Sequence, residues 1–361
     1  MKKTFRLATA LLALLALTNF RLWAQAPSGY YDAAYSKTGI ELRAALHDII
    51  DNHTTISYGN IWNAFWSTDN KGDGVVWDMY SDIPNGTPPY TFSIGQNQCG
   101  EYVQEGDCYN REHSWPQSWF SGDEQTVPGR DLHHVFPTDG FVNLQRSSYP
   151  YGEVSNASWT SQNGSKLGTC KSSLGYSGIV FEPIDEYKGD FARAMMYMSV
   201  RYYGEDSEWG SSDMTDKSDI LPWAIAMLMD WNEQDPVSQK EINRNNVIYS
   251  DYQHNRNPFI DHPEYARMIW DPNWHGGIGG YEKVTSSDEI TDGEYLIVYE
   301  RGSLAFDGSL TALDATNNTI EVSIFENNIE SNATTDASAF TITAITGGYS
   351  IKSASGYYIG Q

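Results

Sequence analysis

Basic side chains are scarce in this chain. Lys and Arg number 23 against 47 Asp and Glu, and the formal net charge is −24. A simple electrostatic binder of nucleic acid is basic, so that class is excluded. Any anionic substrate must be held by local cations or by a metal ion. Cysteine is scarce as well, with only Cys99, Cys108 and Cys170. Cys99 and Cys108 bracket the short polar loop "GEYVQEGD" and form the natural disulfide pair, with Cys170 the odd thiol. Three free or buried thiols are the alternative. Beyond the N-terminus no apolar run is long enough to span a membrane. No H-E-x-x-H occurs, which removes the zinc metallopeptidase class.

What is present begins with a targeting segment. Lys2, Lys3 and Arg6 precede the apolar "LATALLALLAL", and residues 1–24 read as a cleaved signal peptide. The cut follows Ala24 or Ala26, and Pro27 disfavours the second site. Losing Lys2, Lys3, Arg6 and Arg21 takes the net charge from −24 to about −28. The protein is therefore expected outside the cytoplasm, secreted or periplasmic, and as a monomer. Its 24 Tyr and 12 Trp allow a sizeable core.

Helical spacing of Leu42, Leu46 and Ile49 predicts a helix within 31–58, with Thr38 as its N-cap. "NIWNAFWSTD" extends the helical pattern, and "GDGVVWDMYSDI" reads as short and β-rich. "YKGDFARAMMYMSVRYYG" places Phe191, Met195 and Met198 on one helical face, with Gly204 as a stop. "DILPWAIAMLMDWNEQDPVSQKEINRNNVIYSDYQ" holds two helices parted near Asp235-Pro236. The Met-rich faces are core rather than cofactor boxes. Domain boundaries are drawn at 25–275 for the main domain and 276–282 for a glycine-rich linker. A β-rich module follows over 283–361, with short alternating runs such as "TIEVSIFE" and "GYYIG". The sequence stops at Gln361 just after such a run, so the module is expected to be incomplete.

The chemistry concentrates in "NREHSWPQSW" (110–119) and "GRDLHHVFPTDGFVNLQRSSYPYGEV" (129–154). His113 sits where a strand would end, "DLHHVFP" offers a second strand, and "TDGFVNLQRSSY" starts a short helix carrying Asn143 and Arg146. Strand, strand and helix in that order can bind one hard divalent cation through the oxygens of Glu112 and Asn143, leaving His113 to take a proton. That chemistry suits phosphodiester cleavage. The cation neutralises phosphate oxygens, a neutral imidazole activates water, and arginines stabilise developing charge.

Four blocks, "REHSWPQSWF", "DLHHVFPTDGFVNLQRSSYPYGEV", "GDFARAMMYMSVRY" and "NRNPFIDHPE", resemble the endonuclease I family of secreted and periplasmic bacterial nucleases over about 31–275. The resemblance implies an α+β fold, with a ββα-metal (His-Me finger) core inside a largely helical domain. It implies His113 as general base and Glu112 and Asn143 as ligands of Mg²⁺, with Mn²⁺ or Ca²⁺ as substitutes. It implies DNA as substrate, RNA often as a second one, and little sequence preference. Two departures stand out. Relatives carry a phosphate-stabilising arginine between the His block and the "DLH" block. Here that stretch is "SGDEQTVPG", so Arg130 is nearest and Arg146 and Arg111 are rivals. Relatives also often have Asn where His134 stands.

Plainer readings compete. Alone, Glu112 and His113 read as a surface carboxylate and a buried structural histidine; the downstream blocks reverse that. His133 and His134 fall on opposite faces of a strand, which argues against a shared metal. Asp131 orients a loop. Arg256 and Asn257 either line the cleft or make an ordinary turn, and His262 stabilises a loop. The rival function is a secreted binding or adhesion protein whose β-module takes carbohydrate or a cell surface. From Cys99 to Glu153 there are three basic side chains against nine acidic ones, which predicts weak binding that depends on a divalent cation.

Overall fold

A computed structural model describes residues 26–27, 29–34, 37–272, 280–311, 316–325, 328–330 and 333–359. The leader and the linker up to residue 279 lie outside the described residues. Helix α1 (Gly39–Ile50) starts after Thr38, whose side chain makes no cap bond, and α2 (Ile61–Thr68) is separate from it. The β-rich reading of 72–83 reduces to the strand Val75–Val76 and to Gly72, the end of its partner strand Asn70–Gly72. An antiparallel hairpin follows, Tyr109–His113 paired with Val135–Asp139, and leads directly into α3 (Gly140–Arg146). A three-stranded antiparallel meander then covers Val154–Thr160, Lys166–Cys170 and Ile179–Glu182. Four helices close the body: α4 (Lys188–Arg201), α5 (Pro222–Gln234), α6 (Gln239–Val247) and, after a π-turn, α7 (Pro258–Asp261). A last short helix, α8, spans Tyr265–Trp270. Mixed helix and sheet in this arrangement make the protein α+β.

Helix α4 organises the body, and it departs from the amphipathic reading. Every one of its 14 residues is buried. Phe191, Met195 and Met198 join Leu42, Leu46 and Ile50 of α1 and Leu228 of α5 in the main core. The charged residues of α4 are tolerated inside because each has a partner of opposite charge. Arg193 donates to Glu241, whose side chain also completes the capping box of α6 at Ser238. Asp190 pairs with Lys240, and Lys188 with Glu182 at 2.9 Å. The same core holds Trp115, Phe120, Phe136 and Tyr151, so the hairpin and α3 are set by packing from behind.

Cys99 and Cys108 are bridged and Cys170 is a free, buried thiol, as the spacing predicted. In the C-terminal module, Gly280–Glu282 is already a strand, paired with Asn328–Glu330, so the expected linker is shorter at its far end. Apart from a five-residue helix, Ala333–Ala337, and two 3-10 turns, the rest of the described module is antiparallel β-structure, the largest piece being a four-stranded sheet built on Phe340–Ile345 and Gly348–Ser353.

Candidate active site

Sequence-local forces build the hairpin–helix unit. Asp139 ends the second strand and caps α3, with Oδ1 accepting the Val142 N–H at 2.8 Å. Its other oxygen accepts the Gly106 N–H at 2.8 Å. The tight turn lays α3 back across the first strand. Asn143 Nδ2 donates to the Arg111 carbonyl at 3.3 Å. Arg146, one turn on, donates from Nη1 to the His113 carbonyl at 3.0 Å and from Nη2 to the Ser114 carbonyl. Four of the sequence-predicted residues, Glu112, His113, Asn143 and Arg146, are thereby carried on one unit.

Glu112 is 1% exposed. Its Oε1 accepts from the Tyr80 hydroxyl at 3.0 Å and lies 3.2 Å from Arg146 Nη1. Burial pushes the Glu112 carboxyl up to about 7, with Arg146, Tyr80 and Tyr151 opposing. Burial also acts to lower the Arg146 guanidinium, but Tyr151, Glu112 and Tyr80 outweigh it, and the guanidinium stays charged. One buried guanidinium thus leaves Glu112 only partly ionised near neutral pH, and a second cation would complete the ionisation. Asn143 spends its amide N–H on the Arg111 carbonyl, which leaves its oxygen for another partner. Two hard oxygen donors on adjacent elements fit a hard divalent cation that retains water ligands.

His113 is buried between Tyr58, Phe120 and His134. The ring is packed and not open to solvent. Its Nε2 lies 3.0 Å from the Gly129 carbonyl. A carbonyl only accepts, so Nε2 carries the proton and Nδ1 is the basic nitrogen. Burial first, then His134, pushes the ring down to about 3, with the Gly129 carbonyl opposing. The ring is neutral at physiological pH.

The three arginines separate. Arg146 is 1% exposed and committed to Glu112 and two carbonyls, so it holds the site together and is not free for a phosphate. Arg111 is half-buried, its guanidinium 3.5 Å over the Tyr58 ring and 4.5 Å over Trp62. Arg130 is half-buried beside Gly129, with Nε on the Thr126 carbonyl at 3.2 Å, and its terminal nitrogens make no hydrogen bond among the described residues.

Two expectations need correction and a third holds. His133 and His134 lie in a turn before the second strand, which begins at Val135, so strand alternation does not apply to them. Both are buried. His134 gives Nε2–H to the Pro128 carbonyl at 2.7 Å, and His133 faces the Asn255 carbonyl at 3.2 Å. Arg256 does not line a cleft; it is buried against Asp261, and Asn257 caps α7. Asp131 does anchor its loop, through Tyr197, Tyr202 and Gln253 at 2.8–2.9 Å.

Sequence reasoning missed Tyr80 and Tyr151, which enclose Glu112, and the Gly129 carbonyl that fixes the His113 tautomer; no local pattern announces any of them. A second group of ligand-type atoms, from His47, Asp51 and Glu205, lies within 4.8 Å of one another. Arg201 already pairs with Asp51 at 3.1 Å and Glu205 at 3.2 Å and supplies their counter-charge. A cavity of about 920 Å³ lies in the C-terminal module, lined by Tyr281, Tyr295 and Glu300 among others, away from the hairpin. None of the residues named on the hairpin–helix unit lines that cavity.

Known proteins give the class first, and it is that of nucleases. An extracellular ribonuclease of Bacillus amyloliquefaciens is 37% identical over 249 residues, covering 67% of this chain and 78% of that protein. The extracellular ribonuclease of Bacillus subtilis (strain 168) is 38% identical over 247 residues, with the same two coverages of 67% and 78%. Endonuclease-1 of Buchnera aphidicola subsp. Baizongia pistaciae (strain Bp) is 26% identical over 130 residues, 36% of this chain and 45% of its own. The Endonuclease I family model matches residues 38–264, and the chain belongs to that family. It is a nuclease, a hydrolase of phosphodiester bonds.

Proposed function

We propose that the chain is an exported, metal-dependent endonuclease that hydrolyses DNA and RNA with little sequence preference. The observation that carries this reading is the convergence of Glu112, Asn143 and Arg146 on the strand that ends in His113. Glu112 and Asn143 would hold one Mg²⁺, with Mn²⁺ or Ca²⁺ as substitutes. When bound, the ion supplies charge neutralisation at a non-bridging and a leaving phosphate oxygen. His113 Nδ1 accepts the proton of the attacking water while Nε2–H stays on Gly129. A phosphodiester held beside the ring raises its low basicity toward the useful range. Arg130 stabilises charge on the phosphate, and Arg146 holds Glu112 in place. Export is supported by the basic-then-apolar leader and by the extracellular relatives. The β-module lies beyond the family match, and we assign it a surface- or carbohydrate-binding role.

The test is direct. Plasmid DNA and a structured RNA are incubated with the secreted chain and Mg²⁺, with and without EDTA. Cleavage of both that EDTA abolishes is expected. Glu112→Gln and Asn143→Ala should weaken Mg²⁺ binding in calorimetry, and added Mg²⁺ should partly restore Asn143→Ala. Wild-type Mg²⁺ affinity in both variants would remove these residues from the metal site.

A further inference from the structure

A run of aromatic rings leads away from His113. Tyr58 lies in the 3-10 turn before α2, and Trp62 and Trp66 lie on α2 at four-residue spacing, so the two indoles share one helix face, a turn apart. The Tyr58 ring is stacked toward the His113 ring, 6.1 Å between centroids and 28° from parallel. The Arg111 guanidinium lies 3.5 Å over Tyr58 and 4.5 Å over Trp62, so a flat cation stands within the stack. Trp66 follows one turn on and is 51% exposed. Its six-membered ring is braced by Gly74 and Gly95, where an added Cβ would lie 3.3 Å and 3.6 Å from ring atoms. Both glycines have positive φ, 77° and 78°, so a residue with a side chain would be strained at either, and crowded at Gly74.

We propose that Tyr58, Arg111, Trp62 and Trp66 form a track for single-stranded nucleic acid that runs from the catalytic histidine to an open end at Trp66, whose exposed ring takes an unpaired base. The chemistry fits that occupant. Aromatic faces and guanidinium planes stack on any base, which is sequence-tolerant and needs the base unpaired. In a duplex the same π-faces are already stacked on each other. The protein also needs binding energy that does not come from phosphate attraction. Three basic side chains stand against nine acidic ones from Cys99 to Glu153, and Arg146 is taken by Glu112. Stacking supplies affinity without basic surface. A large aromatic ring half in solvent, yet packed on the backbone of two turn glycines, is accounted for by a ligand that covers it. The inference rests on the nuclease reading of His113 for its direction, since that is what makes one end of the track the reacting end.

Two measurements on the full chain separate the track from the chemistry. The first is fluorescence anisotropy of a labelled twelve-nucleotide single strand and of its duplex, in EDTA so that nothing is cut. The wild type should bind the single strand more tightly, and Trp66→Ala should weaken that binding about tenfold. Trp66→Phe should recover most of it, which a merely structural role would not produce. The second is cleavage with Mg²⁺, in which the single-strand to duplex ratio of kcat/KM should fall about tenfold in Trp66→Ala through KM. Equal binding of strand and duplex by the wild type, or an unchanged ratio in Trp66→Ala, overturns the track and leaves the nuclease intact. Selective single-strand binding that needs Trp66, with no cleavage in any divalent metal, upholds the track and overturns the assigned chemistry.

Discussion

Nη1 of Arg146 lies 3.2 Å from Oε1 of Glu112, and each residue is 1% exposed. A buried ion pair adds little net stability, but removing one partner leaves the other charge stranded, at a cost of about 3–5 kcal/mol. Arg146 therefore acts through Glu112 and through the His113 and Ser114 carbonyls. Arg146→Met should lower the thermal midpoint by several degrees and weaken Mg²⁺ binding. Arg146→Lys should keep the charge, lose the two-carbonyl grip, and fall between the two. Calorimetric Mg²⁺ titration alongside thermal melts checks this. A variant with normal metal affinity and lost turnover would make Arg146 a phosphate contact after all.

His113→Ala should cut the rate by about 10²–10⁴, the usual loss with a general base. Because the ring is packed against Tyr58, Phe120 and His134, the midpoint should fall too. Added free imidazole, small enough for the space left by the ring, should restore part of the rate in this variant and none in Asn143→Ala. Single-turnover cleavage with and without imidazole measures it, and wild-type turnover in His113→Ala would remove the residue from the mechanism.

The legible part of the site was the part built by neighbours in sequence. Glu112, His113 and Asn143 fall within one strand–strand–helix unit, so order and spacing were enough to bring them together. The break at Asp235-Pro236 was equally local. What stayed hidden depends on contacts across the fold. Tyr80 reaches Glu112 from a distant loop, and no periodicity marks it. Arg146 reads as a phosphate ligand by type and becomes a clamp only once Glu112 is seen buried beside it. His133 escaped the strand reading because the Asp131 carboxylate takes the His133 N–H at 3.0 Å and holds a turn there. Helix α4 looked one-faced because its charged positions seemed to need water, whereas Glu241, Lys240 and Glu182 come from elsewhere to meet them.

Acid should expose the cost of burying His134. Burial pushes its ring down to about 4, and its Nδ1 is buried without a hydrogen-bond partner among the described residues. The unfolded chain takes up a proton below about 6.5 and the folded chain does not. Stability is therefore full above pH 6.5 and is lost as pH falls toward 4. By pH 5 this ring accounts for about 2 kcal/mol. Glu112, Asp78 and Asp235, each raised to about 7 chiefly by burial, work in the opposite direction over the same range. The prediction is consequently a difference. His134→Asn should lose less midpoint than the wild type between pH 7 and pH 5, by several degrees. Parallel pH–melting curves for the two proteins would refute the assignment.

Removing the C-terminal module should leave phosphodiester cleavage intact. Every residue assigned to the reaction precedes it, and the family match ends at residue 264. Over 283–361 the module carries 3 basic against 11 acidic residues, a charge of −8, so it repels a polyanion and does not extend the nucleic-acid footprint. It also has its own buried cluster, with Ala305, Val322 and Ile329 at its centre, separate from the core that backs the hairpin. Domains with separate cores usually melt separately. A chain ending at Pro272 should therefore cut plasmid at the wild-type rate with a similar midpoint for the nuclease transition, and should lose binding to cell-surface or polysaccharide fractions. A lower midpoint would mean that the module braces the nuclease body. Lost cleavage in a truncation that still melts cooperatively would mean that it takes part in the reaction.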